Sequence, residues 1–293
     1  MMCSMDYKCI VSVVIPFYSN AIWLNEAIES VLNQTYQNYE IIVVNDGSKE
    51  NIDDTLSKYG ELIKYYTQPN MGAGAARNKG VQMANGKYIA FLDSDDLWDP
   101  DKLSVQIEYM ETHGEYVWSH CSYRTFGCGD ERIVNVDDEV GSIFPKCLAS
   151  CKIATPCVIV RKDGLLGDNK FSESMRYGQD TYLWVMLSQS YELGYIPKVL
   201  CSVRQRGNNA AKRAYVALKA KSELWKNLLS LKDFPLDKVS KSVQCAYKMC
   251  CNRFRVIESL SRKIHKQKVI EFLSKVLYLR PYIKFVNARK KAK

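Results

Sequence analysis

No run in this chain reaches the roughly 18–20 consecutive apolar residues that a membrane-spanning helix requires, which excludes a protein built on such helices. The first residues, MMCSMDYKC, have neither the basic start nor the apolar stretch of a secretory signal, so the expected location is the cytoplasm. No CxxC pair occurs among the 11 Cys, and the 3 His (His113, His120 and His265) show no metal-ligand spacing. That argues against zinc binding and makes a disulfide framework unnecessary. The cysteines sit in apolar segments such as VQCAYKMCCNRF and PKCLASCKIATPCVIV, where reduced thiols behave as small hydrophobes.

What is present is an ordinary apolar fraction, 47%, ample for a core in 293 residues. The net charge of +9 hides an asymmetry: residues 1–210 hold 19 Lys+Arg against 27 Asp+Glu, and residues 211–293 hold 22 against 5. An acidic body with a basic tail separates two tasks, chemistry in one and attachment in the other.

The body alternates strand and helix patterns. IVSVVIP (10–16) is a β-branched run closed by proline, and Leu24, Ala27, Ile28, Val31 and Leu32 then recur at helical spacing. EIIVVN is a second strand ending at Asp46-Gly47-Ser48, followed by a short helix around 51–58 and a third strand, LIKYYT. A helix over about 74–84 precedes a fourth strand, KYIAFLD, and Asp99 is expected to cap a further helix with Pro100 at its first position. This order predicts a parallel α/β sheet, in which ligands bind beyond the carboxyl ends of the strands. Pro16-Phe17-Tyr18, Asp46-Gly47-Ser48 and Asp93-Ser94-Asp95-Asp96 are all placed at that edge.

Two motifs there need weighing. Gly72-Ala73-Gly74-Ala75-Ala76-Arg77 begins like a dinucleotide fingerprint, which would suggest a nicotinamide-dependent dehydrogenase. Arg77 occupies the position where close packing requires Gly or Ala, and the segment follows the third strand instead of opening the fold, so the dehydrogenase reading is set aside. The glycines can serve as turn residues, with Arg77 placed either near phosphate or near Asp93. Asp93, Asp95 and Asp96 could favour a helix N-terminus, but capping needs one carboxylate. Three in four positions suit a hard divalent cation, Mn²⁺ or Mg²⁺, which takes one or two carboxylates and completes its shell with phosphate oxygens and water.

VSVVIPFYSN, IIVVNDGS, GAGAARNKG and YIAFLDSDD, in this order, resemble a family 2 glycosyltransferase of the GT-A fold, closely over residues 10–113 and traceably to about 206. The resemblance implies a Rossmann-like, mainly parallel sheet with a basic helical C-terminal extension. It divides the chain into a catalytic domain over 1–210 (donor half about 8–115, acceptor half about 116–210) and a helical region over 211–293. It further implies a nucleotide-sugar donor, a UDP-sugar by the family's habit, and transfer with inversion. Pro16 and Tyr18 would line the nucleoside pocket, Asp46 would meet the base, Asp93 the ribose, and Asp95 the metal bridging the diphosphate, with Asp96 supporting the loop.

The family's catalytic base is an acid in an ED-like pair, matched here by Gln179-Asp180 in RYGQDTYLWVML. Asp180 opens an apolar helical stretch and could serve as its N-cap, a role compatible with that of base. Where many relatives carry a His near metal or diphosphate, CSVRQRGNNAA offers Arg206, which cannot ligate metal but can neutralise phosphate. The QxxRW sequence of processive polysaccharide synthases is absent, so addition of a single sugar is expected.

In the tail, residues 264–293, Ile270, Phe272, Leu273, Val276, Leu277 and Leu279 alternate with Lys and Arg. This suits the surface of an anionic membrane, placing the protein on the inner face of the plasma membrane. A helical subdomain with solvated lysines is the structural alternative. Nucleic-acid binding is disfavoured by the donor motifs. A membrane-surface acceptor would be a lipid-linked oligosaccharide of surface polysaccharide synthesis, as for O-antigen or capsule. A non-catalytic membrane-associated scaffold is the rival class.

Overall fold

The computed structural model describes residues 9–207, 213–262 and 267–292. The expectations that rest on His265, on residues 264–266 of the tail and on Asn208–Ala211 lie outside the described residues. The chain forms two compact units: residues up to 142 with 152–173 and 190–205, and residues 143–151 and 174–189 with everything from 206 on. The second unit therefore includes residues 143–151, 174–189 and the stretch from 206 to 210, all of which the sequence reading assigns to the catalytic domain.

The first unit is built on one sheet. Strands β1 (Cys9–Phe17), β2 (Tyr39–Asp46), β3 (Ile63–Gln68) and β4 (Gly86–Phe91) alternate with helices α1 (Ala21–Leu32), α2 (Asp53–Tyr59) and α3 (Ala73–Met83). These four strands pair in parallel, and the apolar runs of β1 and β2 suit burial on both faces, whereas β3 at the sheet edge is partly exposed. Val11, Val13, Ile15, Ile41, Val43, Tyr88 and Ala90 meet Leu24 and Ile28 of α1 in a common core.

Next come β5 (Leu97–Trp98), α4 (Lys102–Thr112), β6 (Trp118–Gly127), β7 (Arg132–Val134), β8 (Ile159–Arg161) and β9 (Leu193–Gln205). The sheet order is β3-β2-β1-β4-β8-β6-β9-β5, with β7 on β6. Beyond β4 the sheet is mixed: β6 and β9 run parallel, whereas the β4–β8, β6–β8, β6–β7 and β5–β9 pairs are antiparallel.

One local expectation is corrected. The helix after the acidic loop begins at Lys102, with Asp101 rather than Asp99 at its N-cap. Leu97 and Trp98 are drawn into the sheet opposite Ser202 and Cys201, and the Asp99 carboxylate turns to Arg124. Leu103, Ile107 and Met110 do face the core, joined by Lys102 and Gln106, both fully buried.

Glu40 ties the amino ends of four strands together. It accepts from Ser12 Oγ at 2.5 Å, Lys64 Nζ at 2.5 Å, and Asn85 N at 2.6 Å, while Ser12 Oγ accepts from Gly86 N at 2.8 Å. Burial by itself would raise the pKa of this carboxyl, but the hydrogen bonds from Lys64, Ser12 and Asn85 outweigh it and hold the group at about 2. A folded-state pKa below the unfolded value of roughly 4.3 gives stability that is complete above that value and lost as pH falls toward 2. The stability gap between wild type and Glu40→Gln, from thermal melts, is therefore expected to be constant above pH ~5 and to narrow between pH ~4 and ~2. A gap that does not change across that window would refute this role.

The second unit contains α5 (Lys146–Ala149), α6 (Gln179–Ser190), α7 (Ala214–Ser230), α8 (Lys241–Ser261) and α9 (Gln267–Ala292). Its core centres on Tyr247, which stacks on Trp225 at 4.7 Å, meets Phe285 edge-on at 4.9 Å, and donates its hydroxyl to Leu148 O at 2.8 Å. Pro281 lies inside α9, where it cannot donate to Leu277 O; the Arg253 guanidinium of α8 donates to that carbonyl in its place. Among the described residues, no helix is long and apolar enough to cross a membrane.

Candidate active site

The β1–β2 register sets Pro16 opposite Val44 and Phe17 opposite Asn45, while Val14 pairs with Phe91 of β4. Parallel pairing therefore brings three strand ends, with the polar segments that follow them, to one edge. Pro16 is buried in β1, and Tyr18, just beyond it, is 51% exposed.

Asp46 ends β2 with its carboxylate buried. Oδ1 accepts from Gln68 Nε2 at 2.9 Å and Met71 N at 2.8 Å, and Oδ2 accepts from Gly72 N at 2.8 Å. The residue thus fixes the glycine-rich loop that leads into α3. Gly72 at the N-cap has φ +95°, and Gly47 has φ +74° with space for a Cβ closed by Asn70 N at 2.7 Å, so both positions demand glycine. Asn45 Oδ1 accepts from Ser48 N at 2.7 Å and shapes the Asp46-Gly47-Ser48 turn.

Arg77 stands on α3 with a 4% exposed side chain environment, pairs with Asp93, and lies 5.1 Å from the Phe171 ring centroid. Its Nε and Nη1 are buried without a hydrogen-bond partner, so the guanidinium retains donor capacity beside the acidic loop. The structure thus realises one of the two placements open to Arg77, contact with Asp93.

Asp95 is 8% exposed and Asp96 4%. The loop is anchored by Arg204 of β9, which the sequence reading passes over in favour of Arg206. Its backbone N–H donates to Asp96 Oδ1 at 2.8 Å, its Nε donates to Asp95 O at 2.8 Å, and its other end pairs with Glu26. The Trp23 and Phe126 rings flank the guanidinium, with centroids 5.1 and 4.4 Å away. The signal that could have found it is its place on a strand aligned beside the acidic loop. The loop's own side-chain donors are all oxygens (Asp93, Ser94, Asp95 and Asp96), a set that fits a hard divalent ion such as Mn²⁺ or Mg²⁺.

Asp180 and Arg206 belong to the second unit. Asp180 lies in the first turn of α6, following Gly178 at φ +75°, and its Oδ1 accepts from Thr181 N at 2.7 Å. Gln179 beside it is 9% exposed, and Arg206 is exposed just after β9. Within the first unit the structure therefore gathers Pro16, Asp46, Arg77, Asp93 and Asp95, with Tyr18 at the end of β1. Glu173 also lies there, accepting from Asn78 Nδ2 at 2.9 Å.

Residues 12–147 match the family model described as Glycosyl transferase family 2. An uncharacterized glycosyltransferase of Rickettsia bellii is 42% identical over 203 residues, covering 68% of this chain but only 29% of the relative, so this chain spans less than a third of that protein's length. Escherichia coli WfgD, named UDP-Glc:alpha-D-GlcNAc-diphosphoundecaprenol beta-1,3-glucosyltransferase, is 32% identical over 200 residues, covering 65% of this chain and 74% of WfgD. Among solved structures, S. aureus TarS 1–349 in complex with UDP-GlcNAc superposes with a TM-score of 0.63 at 16% identity, covering 95% of this chain and 81% of that one. The mannosyltransferase PcManGT from Pyrobaculum calidifontis, in complex with GDP-Man and Mn²⁺, gives 0.61 at 15% identity, covering 97% and 84%. These likenesses show the fold. Taken with the family model and the relatives, they establish that this chain belongs to glycosyl transferase family 2 and has the GT-A fold.

Proposed function

We propose that this chain transfers one sugar from a UDP-sugar to a lipid-linked glycan, with inversion and with a divalent cation at Asp95. The observation that carries the reading is the assembly of Asp46, the Arg77–Asp93 pair and the Arg204-anchored Asp95–Asp96 loop at one sheet edge. The names of the relatives point the same way: WfgD is named for UDP-Glc and a diphosphoundecaprenol acceptor, and TarS binds UDP-GlcNAc.

In this reading Asp46 sets the loop that receives the base, and Pro16 and Tyr18 line the nucleoside pocket. Asp93, oriented by Arg77, meets the ribose. Mn²⁺ or Mg²⁺, when bound by Asp95, supplies positive charge against the donor diphosphate. Asp180 takes the proton from the acceptor hydroxyl as that oxygen bonds to the anomeric carbon and the bond to the diphosphate oxygen breaks. Arg206 neutralises phosphate. The domain division at about residue 210 is carried forward as the boundary between transfer and attachment.

Hydrolysis of a panel of nucleotide sugars by the purified chain, with and without Mn²⁺, tests the proposal without an acceptor. One UDP-sugar is expected to be cleaved in a metal-dependent manner. If none is bound or cleaved, the scaffold reading prevails.

Attachment to an anionic membrane surface on the cytoplasmic side completes the proposal. Helix α9 packs through Ile270, Ser274, Pro281 and Phe285, which leaves Val269, Phe272, Val276, Leu279 and Ile283 exposed at intervals of three and four residues. Lys268, Lys275 and Arg280 are also exposed along the helix, so an apolar stripe meets cationic flanks, the pattern of an interfacial helix. In flotation with phosphatidylglycerol vesicles, the full chain is expected to float at low salt and to float less at high salt. Replacing Phe272, Val276, Leu279 and Ile283 by Ser should abolish flotation while leaving donor hydrolysis intact. Equal flotation of both proteins, or of neither, would remove the membrane role.

A further inference from the structure

Three thiols that are far apart in sequence converge inside the first unit. Cys121 lies on β6, Cys157 on the 3-10 turn Thr155–Cys157, and Cys201 on β9. The Sγ atoms all lie within 4.8 Å of one another, those of Cys121 and Cys201 are 3.8 Å apart, and each residue is 0% exposed. Two sulfurs on a tetrahedral zinc ion, at a Zn–S distance of about 2.3 Å, stand about 3.8 Å apart.

A second observation points to the same spot. Lys102, the first residue of α4, is 0% exposed, and its Nζ has no hydrogen-bond partner. Its Nζ lies 4.1 Å from the centroid of the Trp98 ring, with Cys121, Cys157 and Cys201 close enough to interact with it electrostatically. A buried ammonium without a counter-charge is a costly arrangement. Three thiolates around one divalent cation carry a single net negative charge, which Lys102 would balance.

We propose that Cys121, Cys157 and Cys201 form a structural site for a thiophilic divalent cation, Zn²⁺, with Lys102 as its counter-charge. Three thiol protons leave as the ion binds, and no oxidant or reductant is involved. The sequence expectation against zinc rests on CxxC spacing, which cannot register ligands that each come from a different element. The proposal is independent of the donor reading, because a soft thiolate site neither replaces nor needs the hard-oxygen site at Asp95. Its role is to fasten β6, β9 and the 155–157 turn, a link made only in the folded chain.

The test uses the full chain, expressed in zinc-supplemented medium and purified without chelators. Elemental analysis is expected to find about one zinc per chain, retained after brief EDTA treatment that strips Mn²⁺. X-ray absorption at the zinc edge is expected to fit three sulfur ligands near 2.3 Å. Cys157→Ser should lower zinc at least tenfold, whereas Cys128→Ser and Cys245→Ser, both at exposed positions, should leave it unchanged. The proposal is overturned by a folded wild-type chain holding less than about a tenth of an equivalent of zinc, or by an absorption spectrum dominated by nitrogen and oxygen ligands. Because both readouts use the wild type, they decide the matter even if Cys157→Ser fails to fold.

Discussion

Asp95→Asn is expected to abolish the Mn²⁺-dependent part of UDP binding. The substitution keeps the shape and one oxygen but removes the negative charge that a hard cation requires. The neighbouring carboxylates are already engaged: Asp93 pairs with Arg77, and Asp96 Oδ1 accepts the Arg204 N–H at 2.8 Å. The loss should therefore exceed the roughly 10–100-fold that removing an outer-shell partner costs a metal site. Calorimetry of UDP binding with and without Mn²⁺ reads it directly. Asp96→Asn is the control, because an amide oxygen can still accept from Arg204 and only a small loss is expected. Equal metal dependence in wild type and Asp95→Asn would remove Asp95 from the metal site.

Asp180→Asn should give the opposite profile. The amide keeps the size of the side chain and can still accept from Thr181 N, the bond seen at 2.7 Å, so α6 should start as before. It cannot take a proton, and sugar transfer should fall by roughly 10²–10⁴-fold while UDP affinity stays within a factor of about two. Circular dichroism and UDP calorimetry separate this outcome from misfolding. Near wild-type transfer by Asp180→Asn would move the role of base elsewhere, with Glu173 the next residue to replace.

The parts of the fold that the sequence revealed are those where one physical demand dominates. IVSVVIP and EIIVVN are buried on both faces, so their composition alone declares them strands, and the stretch from Leu24 to Leu32 shows its helical spacing openly. Asp99 is ambiguous in the sequence, because Asp-Pro suits a helix start and only the pairing of Trp98 with Cys201 decides that the chain is still in the sheet. Lys102 reads as a solvated first-turn lysine, and nothing local announces that β6 and β9 will close over it. Arg204 and Arg206 are two residues apart and chemically identical; strand pairing alone sets one of them against the acidic loop. The three cysteines converge for the same reason: contacts between distant segments leave no trace in spacing.

The anchoring of the acidic loop also has a consequence for the order in which a growing chain can complete itself. Arg77 is 16 residues from Asp93 and is on hand as soon as β4 is made, whereas the bond from Arg204 to Asp96 spans 108 residues and its bond to Glu26 spans 178. A ribosome-bound chain that has just released the four parallel strands thus holds the Arg77 contact but not the clasp from β9. Loop closure over such distances is slow and comes late, so the DSDD segment should remain loose until nearly the whole first unit has emerged. Nascent chains stalled near residue 150 would then leave the DSDD segment open to limited proteolysis, with protection arriving only once Arg204 has left the exit tunnel.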